Sequence, residues 1–138
     1  MDAFDADVLI FAATPDHEPG RGVRALLDQA AESGHPAGVG SVLLVSEVLI
    51  KPRRMGWHAE EAHLAGLLKR LDLIPVDRHL VDVATVLGVR YGLRTADAVH
   101  LATAVVAGAD RFITGNRKDF PQTIDVVEIA YPEELRSP

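Results

Sequence analysis

The chain has 138 residues, 48% of them hydrophobic, which suits one compact domain over residues 1–138 that buries roughly 68–70% of its unfolded surface without covalent staples. It contains no cysteine, so a disulfide framework and a thiolate metal site are both excluded, and the composition fits the reducing cytoplasm. Fourteen Lys and Arg against twenty Asp and Glu give a formal charge of −6, which argues against broad electrostatic adhesion to duplex DNA but leaves room for a local basic groove.

The opening "MDAFDADVLIFAA" has no basic stretch ahead of its apolar run. That run is also shorter than the ~20 residues a membrane-spanning helix needs, so neither secretion nor membrane insertion is expected. Its first part alternates apolar and acidic and predicts a strand over residues 2–6 that runs on into a loop or helix. "HEPGRG" punctuates the chain. "RGVRALLDQAAESG" then places Val23, Leu26, Leu27, Ala30 and Ala31 at helical spacing ahead of a Gly stop, as a surface helix does.

"PAGVG" reads as a short strand. Ser41 is a suitable N-cap for "VLLVSEVLIK", whose apolar residues nearly encircle the helix and predict that it is largely buried. "HAEEAHLAGLLKRL" follows as an amphipathic helix, "DLIPVD" as a strand, and "RHLVDVATVLGVRYG" as a helix ending at Gly. Thr95 is placed to cap the helix "RTADAVHLATA". "ADRFITGN" and "DVVEIA" are strand-like runs separated by "RKDFPQTI", and "YPEELRSP" reads as a frayed terminus. Helix and strand alternate throughout, which implies an α/β fold of three layers, α/β/α, around a mostly parallel sheet.

Charged residues are rarely buried unless paired or bound to a metal, so acids set in apolar segments mark places to look for chemistry. Asp5 and Asp7 end the first strand, Glu47 lies within the apolar helix, and Asp97 opens the "TADAVHLATA" helix. Asp119 follows the strand "RFITG", with Asn116 between. In an open parallel sheet these positions can share the carboxyl edge of the strands, where ligands bind. Each acid also has an ordinary reading. Asp97 could be a helix-start charge worth about 0.3–1 kcal/mol, and Glu47 could pair with Lys51 at (i, i+4). Asp5 could point to solvent, and Asp119 could be a turn residue. Three or four carboxylates converging on one edge repel one another unless a cation sits among them, and hard oxygen donors suit Mg²⁺ or Mn²⁺. Such a site activates water for phosphodiester hydrolysis. The six histidines show no zinc pattern, since His58 and His63 are five apart. His100, one turn after Asp97, could hydrogen-bond a site carboxylate, but reads rather as a packed helix position.

"FDADVLI", "SVLLVSEVL", "LRTADAVHLATA" and "FITGNRKDF", in this order and spanning nearly the whole chain, resemble the four acidic motifs of the PIN-domain family. They are most similar to the VapC-type toxin ribonucleases of bacterial toxin–antitoxin pairs. The resemblance implies a PIN-like fold and endonucleolytic cleavage of RNA, single-stranded or in exposed loops, with Mg²⁺ or Mn²⁺ as cofactor. It makes Asp5, Glu47 and Asp97 catalytic metal ligands, with Asp7 hydrogen-bonding nearby and Ser41 and Thr114 orienting the acids. The family often carries Asp directly after a Thr-x pair. Here Thr114-Gly115-Asn116 puts an amide at that place, leaving Asn116 or Asp119 to complete the site. Lys51, Arg53, Arg54, Arg117 and Lys118 are candidate phosphate contacts, and Trp57 a candidate stacking residue. A cognate antitoxin and a homodimer are the implied partners. Two other classes remain open: a PIN-like module with a weakened site that binds RNA or protein without cutting, motivated by Asn116, and a haloacid-dehalogenase-like phosphotransferase, motivated by the Asp-x-Asp start.

Overall fold

The computed structural model describes residues 1–135. Its elements in chain order are β1 (Asp2–Phe4), α1 (Ala6–Ala13), α2 (Gly20–Ser33), β2 (Gly38–Ser41), α3 (Leu44–Met55) and α4 (His58–Leu68). After these come β3 (Leu71–Ile74), α5 (Arg78–Tyr91), α6 (Thr95–Val106), β4 (Arg111–Ile113) and β5 (Glu128–Ala130), with a 3-10 turn at Pro132–Glu134. The five strands form one parallel sheet in the order β3-β2-β1-β4-β5. Each face is covered by its own apolar cluster. On one side Phe4, Val8, Leu9, Leu27, Leu44 and Leu67 pack together from β1 and α1–α4. On the other, Leu80, Leu87, Val99, Leu101, Phe112 and Ile129 pack together from α5, α6, β4 and β5. The architecture is therefore the three-layer α/β/α arrangement that the helix–strand alternation implies.

The chain order β1, β2, β3 runs to one edge, then returns past β1 to β4 and β5. Strand order thus reverses between β1 and β4, and the crevice outside their carboxyl ends is where open α/β sheets bind ligands. At the opposite, amino end of the sheet, close approach of β1 and β2 sets the register: Asp2 faces Gly38, and a Cβ on Gly38 would run into the Asp2 backbone carbonyl, so the strands can pack this tightly only with glycine. Arg111 clamps the same end of the sheet with a two-pronged bond to Asp2, at 2.9 and 3.0 Å.

Several local expectations change. The first strand stops at Phe4 rather than residue 6, because the Asp5 side chain accepts the Ala6 N–H at 2.8 Å and starts α1 there. The run "ADVLIFAA" is consequently helix, buried on one face and held at its end by Arg24, which donates to the carbonyls of Ala12 and Thr14. Ser41 is the last residue of β2 rather than the N-cap of α3. Its hydroxyl accepts the N–H of Leu43, the residue just before the helix, at 3.1 Å. α3 is amphipathic, not largely buried: Leu44, Val48 and Leu49 face the core while Ile50 is 52% and Met55 55% exposed. Thr95 is the first residue inside α6, preceded by Arg94 at the cap position. "YPEELRSP" is not frayed over its described part. Tyr131 and Leu135 are buried, and the Tyr131 hydroxyl donates to the Phe120 carbonyl at 2.9 Å, so the segment straps α2 and the β4–β5 connection; residues 136–138 lie outside the described residues.

Candidate active site

Asp5 stands at the switch point, between the end of β1 and the start of α1, and is only 6% exposed. Its Oδ1 accepts the Ala6 N–H at 2.8 Å, and its Oδ2 accepts the Thr114 hydroxyl at 2.8 Å across the neighbouring strand end. Burial pushes its carboxyl above the usual carboxylate range, against the opposing pull of His100, Thr114 and the Ala6 amide. Asp7, in the first turn of α1, accepts the Gly115 N–H, the nearer contact being 3.0 Å to Oδ2. Gly115 leaves room for this contact: a Cβ there would lie 2.7 Å from the Phe11 ring and 2.8 Å from Asp7 Oδ2, so those side chains would have to shift. Burial, and next the negative charge of Asp5, raise Asp7 to about 6.

Asp97 opens α6 from the other helical layer, and its carboxyl too is pushed up, by burial first and then by Asp5 and Asp119. Glu47, in the first turn of α3, adds to the negative charge felt at both Asp5 and Asp97. The acids named from the sequence are therefore close enough to act on one another at the carboxyl end of the sheet. Glu47 makes no bond to Lys51. Its Oε1 instead lies 2.6 Å from His100 Nε2, a contact between residues 53 apart in the chain. His100 is packed, 2% exposed, and it also bonds an acidic side chain, so both alternatives open for it in the sequence are realised.

Asn116 is engaged on both sides by Asp119. Its Nδ2 donates to Asp119 Oδ2 at 2.9 Å, and its Oδ1 accepts the Asp119 N–H at 3.1 Å. Asp119 is thus held in an amide-locked turn with one carboxylate oxygen left over, while the Asn116 carbonyl keeps a second lone pair. Thr114 supports both parts of this edge, since its hydroxyl also accepts the Asn116 N–H at 3.1 Å. Ser41 is buried but bonds only to Leu43 among the described residues.

The basic candidates divide. Arg53 is paired with Glu61 at 3.0 Å, and Arg117 lies 4.1 Å over the Tyr131 ring and pairs with Glu133. Lys51, Arg54 and Lys118 make no ion pair among the described residues. Lys51 Nζ sits 5.6 Å over the Trp57 ring, which is 41% exposed and so lies at the surface rather than in the core.

The donor chemistry fits a hard divalent cation. Asp5, Asp7 and Asp97 are all held above the ordinary carboxylate range, largely by burial and by one another, which is the electrostatic situation a cation relieves. Among the described residues no three His, Asp or Glu side chains enclose an ion as they stand.

A family model for the PIN domain matches residues 3–125. The chain belongs to the PIN-domain family. Within it, the chain is similar to Ribonuclease VapC46 of Mycobacterium tuberculosis, 42% identical over 78 residues, or 55% of this chain. The matched stretch spans 56% of that relative's own length. The PIN fold is also shared with a chain of a toxin-antitoxin complex from Klebsiella pneumoniae, at a TM-score of 0.73 and 25% identity, over 96% of this chain and 98% of that one. Among the described residues of this PIN-domain protein no helix is long and apolar enough to cross a membrane.

Proposed function

We propose that this protein is a divalent-metal-dependent endoribonuclease of the VapC type, acting in the cytoplasm as the toxin of a toxin–antitoxin pair. The observation that carries this reading is the group of mutually repelling carboxylates, Asp5, Glu47 and Asp97 with Asp7 and Asp119 beside them, gathered where strand order reverses. Likeness to a VapC ribonuclease and to a chain of a toxin–antitoxin complex supports RNA as substrate and an antitoxin as partner. A homodimer over residues 1–138 as one domain completes the proposal.

In this reading Asp5, Glu47 and Asp97 hold Mg²⁺ or Mn²⁺, and Asp119 completes the acidic edge with the amide of Asn116 as its brace. When bound, the ion lowers the pKa of water and offsets charge developing on the phosphate. The chain's own residues fix the geometry. Thr114 and the Ala6 amide hold Asp5 with both oxygens oriented, and the Gly115 amide holds Asp7. Lys51, Arg54 and Lys118, free of acidic partners among the described residues, supply phosphate contacts, with Trp57 as a stacking face.

Incubation of the purified protein with a mixed RNA pool in Mg²⁺ or Mn²⁺, with an EDTA control, tests this directly. The expected result is internal cleavage that EDTA abolishes. RNA that is bound but stays intact with either ion would overturn it in favour of a non-cutting binding module.

A further inference from the structure

We infer that His100 is a positioning residue for Glu47, holding that carboxylate toward the acidic edge through its Nε2–H. The inference rests on reading the acidic cluster as a cation site.

His100 lies on the buried face of α6, and its side chain is 1% exposed. Its Nε2 is 2.6 Å from Glu47 Oε1, while its Nδ1 is buried with no hydrogen-bond partner. An ionised carboxylate can only accept, so Nε2 carries the donated hydrogen. A half-satisfied imidazole in a packed layer costs stability, and an apolar side chain of similar volume would fill the same space without an orphaned nitrogen. Among the described residues the Glu47 bond is the one polar contact the ring makes, so that contact explains why a histidine stands there.

The bond also joins the two helical layers. α3 carries Glu47 on one side of the sheet, and α6 carries both His100 and Asp97 on the other. Glu47 is otherwise on a half-exposed helix surface, 34% accessible at its side chain, where a glutamate ordinarily samples several rotamers. Binding of Oε1 by His100 selects one of them and leaves Oε2 without a hydrogen-bond partner among the described residues. This is the arrangement by which outer groups orient metal-ligating side chains, here a histidine behind a carboxylate, and loss of such a partner typically weakens metal affinity by about 10–100-fold.

Gln and Asn separate positioning from packing, because the Gln amide reaches to where Nε2 stands and the Asn amide, one methylene shorter, does not. Mn²⁺ affinity is read by electron paramagnetic resonance of the free ion. Wild type, Asp5→Asn, His100→Gln and His100→Asn are compared, and the two His100 changes are repeated in a Glu47→Gln background. The expected pattern is clear Mn²⁺ binding by wild type, loss in Asp5→Asn, and near-wild-type affinity in His100→Gln. His100→Asn is expected to be weakened by roughly 10–100-fold, and the Gln–Asn difference to vanish in the Glu47→Gln background. Equal affinity in wild type, His100→Gln and His100→Asn would overturn the positioning role while leaving the cation site standing. Equal weakening of the two variants would overturn it too, assigning the loss to packing. Absence of Mn²⁺ binding in wild type would overturn the cation site itself and the inference with it.

Discussion

Asp5→Asn is expected to lower RNA cleavage by on the order of 10³-fold or more, the scale on which loss of a central charge-stabilising group acts, while the protein stays folded. Asp5 sits at the switch point with both oxygens tied, one to the Ala6 amide and one to the Thr114 hydroxyl. An amide can still accept from Ala6 and meet the Thr114 hydroxyl with its NH₂ group after that hydroxyl rotates. The change therefore removes negative charge more than it removes structure. It also removes a repulsive neighbour of Asp7 and Asp97. Single-turnover cleavage and thermal melts of the two proteins check both halves. Retained cleavage with an unchanged melt would show that Asp5 is only the cap of α1.

Asp7→Asn is expected to raise the melting temperature of the metal-free protein at neutral pH by roughly 5–10 °C and to flatten its dependence on pH. The reason is linkage. The Asp7 carboxyl is raised from 3.8 to about 6 in the folded chain, by burial first and then by Asp5. The folded state therefore holds this proton more tightly than the unfolded state does. Its contribution to stability is fully present below the unfolded pKa near 4 and is lost as pH rises through about 6. The difference, 6 − 3.8, is about 2 pH units, or about 2–3 kcal/mol once partial solvation is allowed for. Asn keeps an acceptor for the Gly115 N–H and has no charge to desolvate. Melts of wild type and variant in EDTA between mildly acidic and neutral pH measure this. A wild-type protein that gains stability as pH rises across that window would contradict it.

What the sequence made legible was charge set against its surroundings. Asp5 and Asp97 stand out because a carboxylate is uncommon between apolar neighbours, even though a helix-start or solvent-facing acid is an ordinary reading of each, and both lie at the end of the sheet where the topology puts a binding crevice. The layer arrangement was legible for the same reason, from helix and strand periods that alternate along the chain. The brace around the site was legible only as the possibility that His100 bonds a site carboxylate, not as which one. Glu47 meets His100 across 53 residues of sequence, and periodicity describes faces of one helix, not contacts between two. The bonds between Asn116 and Asp119 were hidden because residue type alone says nothing of the turn that joins them. α1 was hidden because "ADVLIFAA" is apolar enough to satisfy either period, and its start is set by one side chain, Asp5, capping its own successor. The C-terminal strap was hidden because Tyr131 and Leu135 are too few to show a pattern, yet both find buried places against elements far away in the chain.

The most direct measurement is X-ray diffraction from crystals soaked in Mn²⁺, with data collected at the manganese absorption edge. The expected result is an anomalous peak at the carboxyl end of β1 and β4, within roughly 2.0–2.4 Å of oxygens from at least two of Asp5, Glu47 and Asp97, with waters completing its shell. A peak on a different face of the protein, or no peak at saturating Mn²⁺ with the acids still clustered, would contradict a metal-dependent active site at this edge.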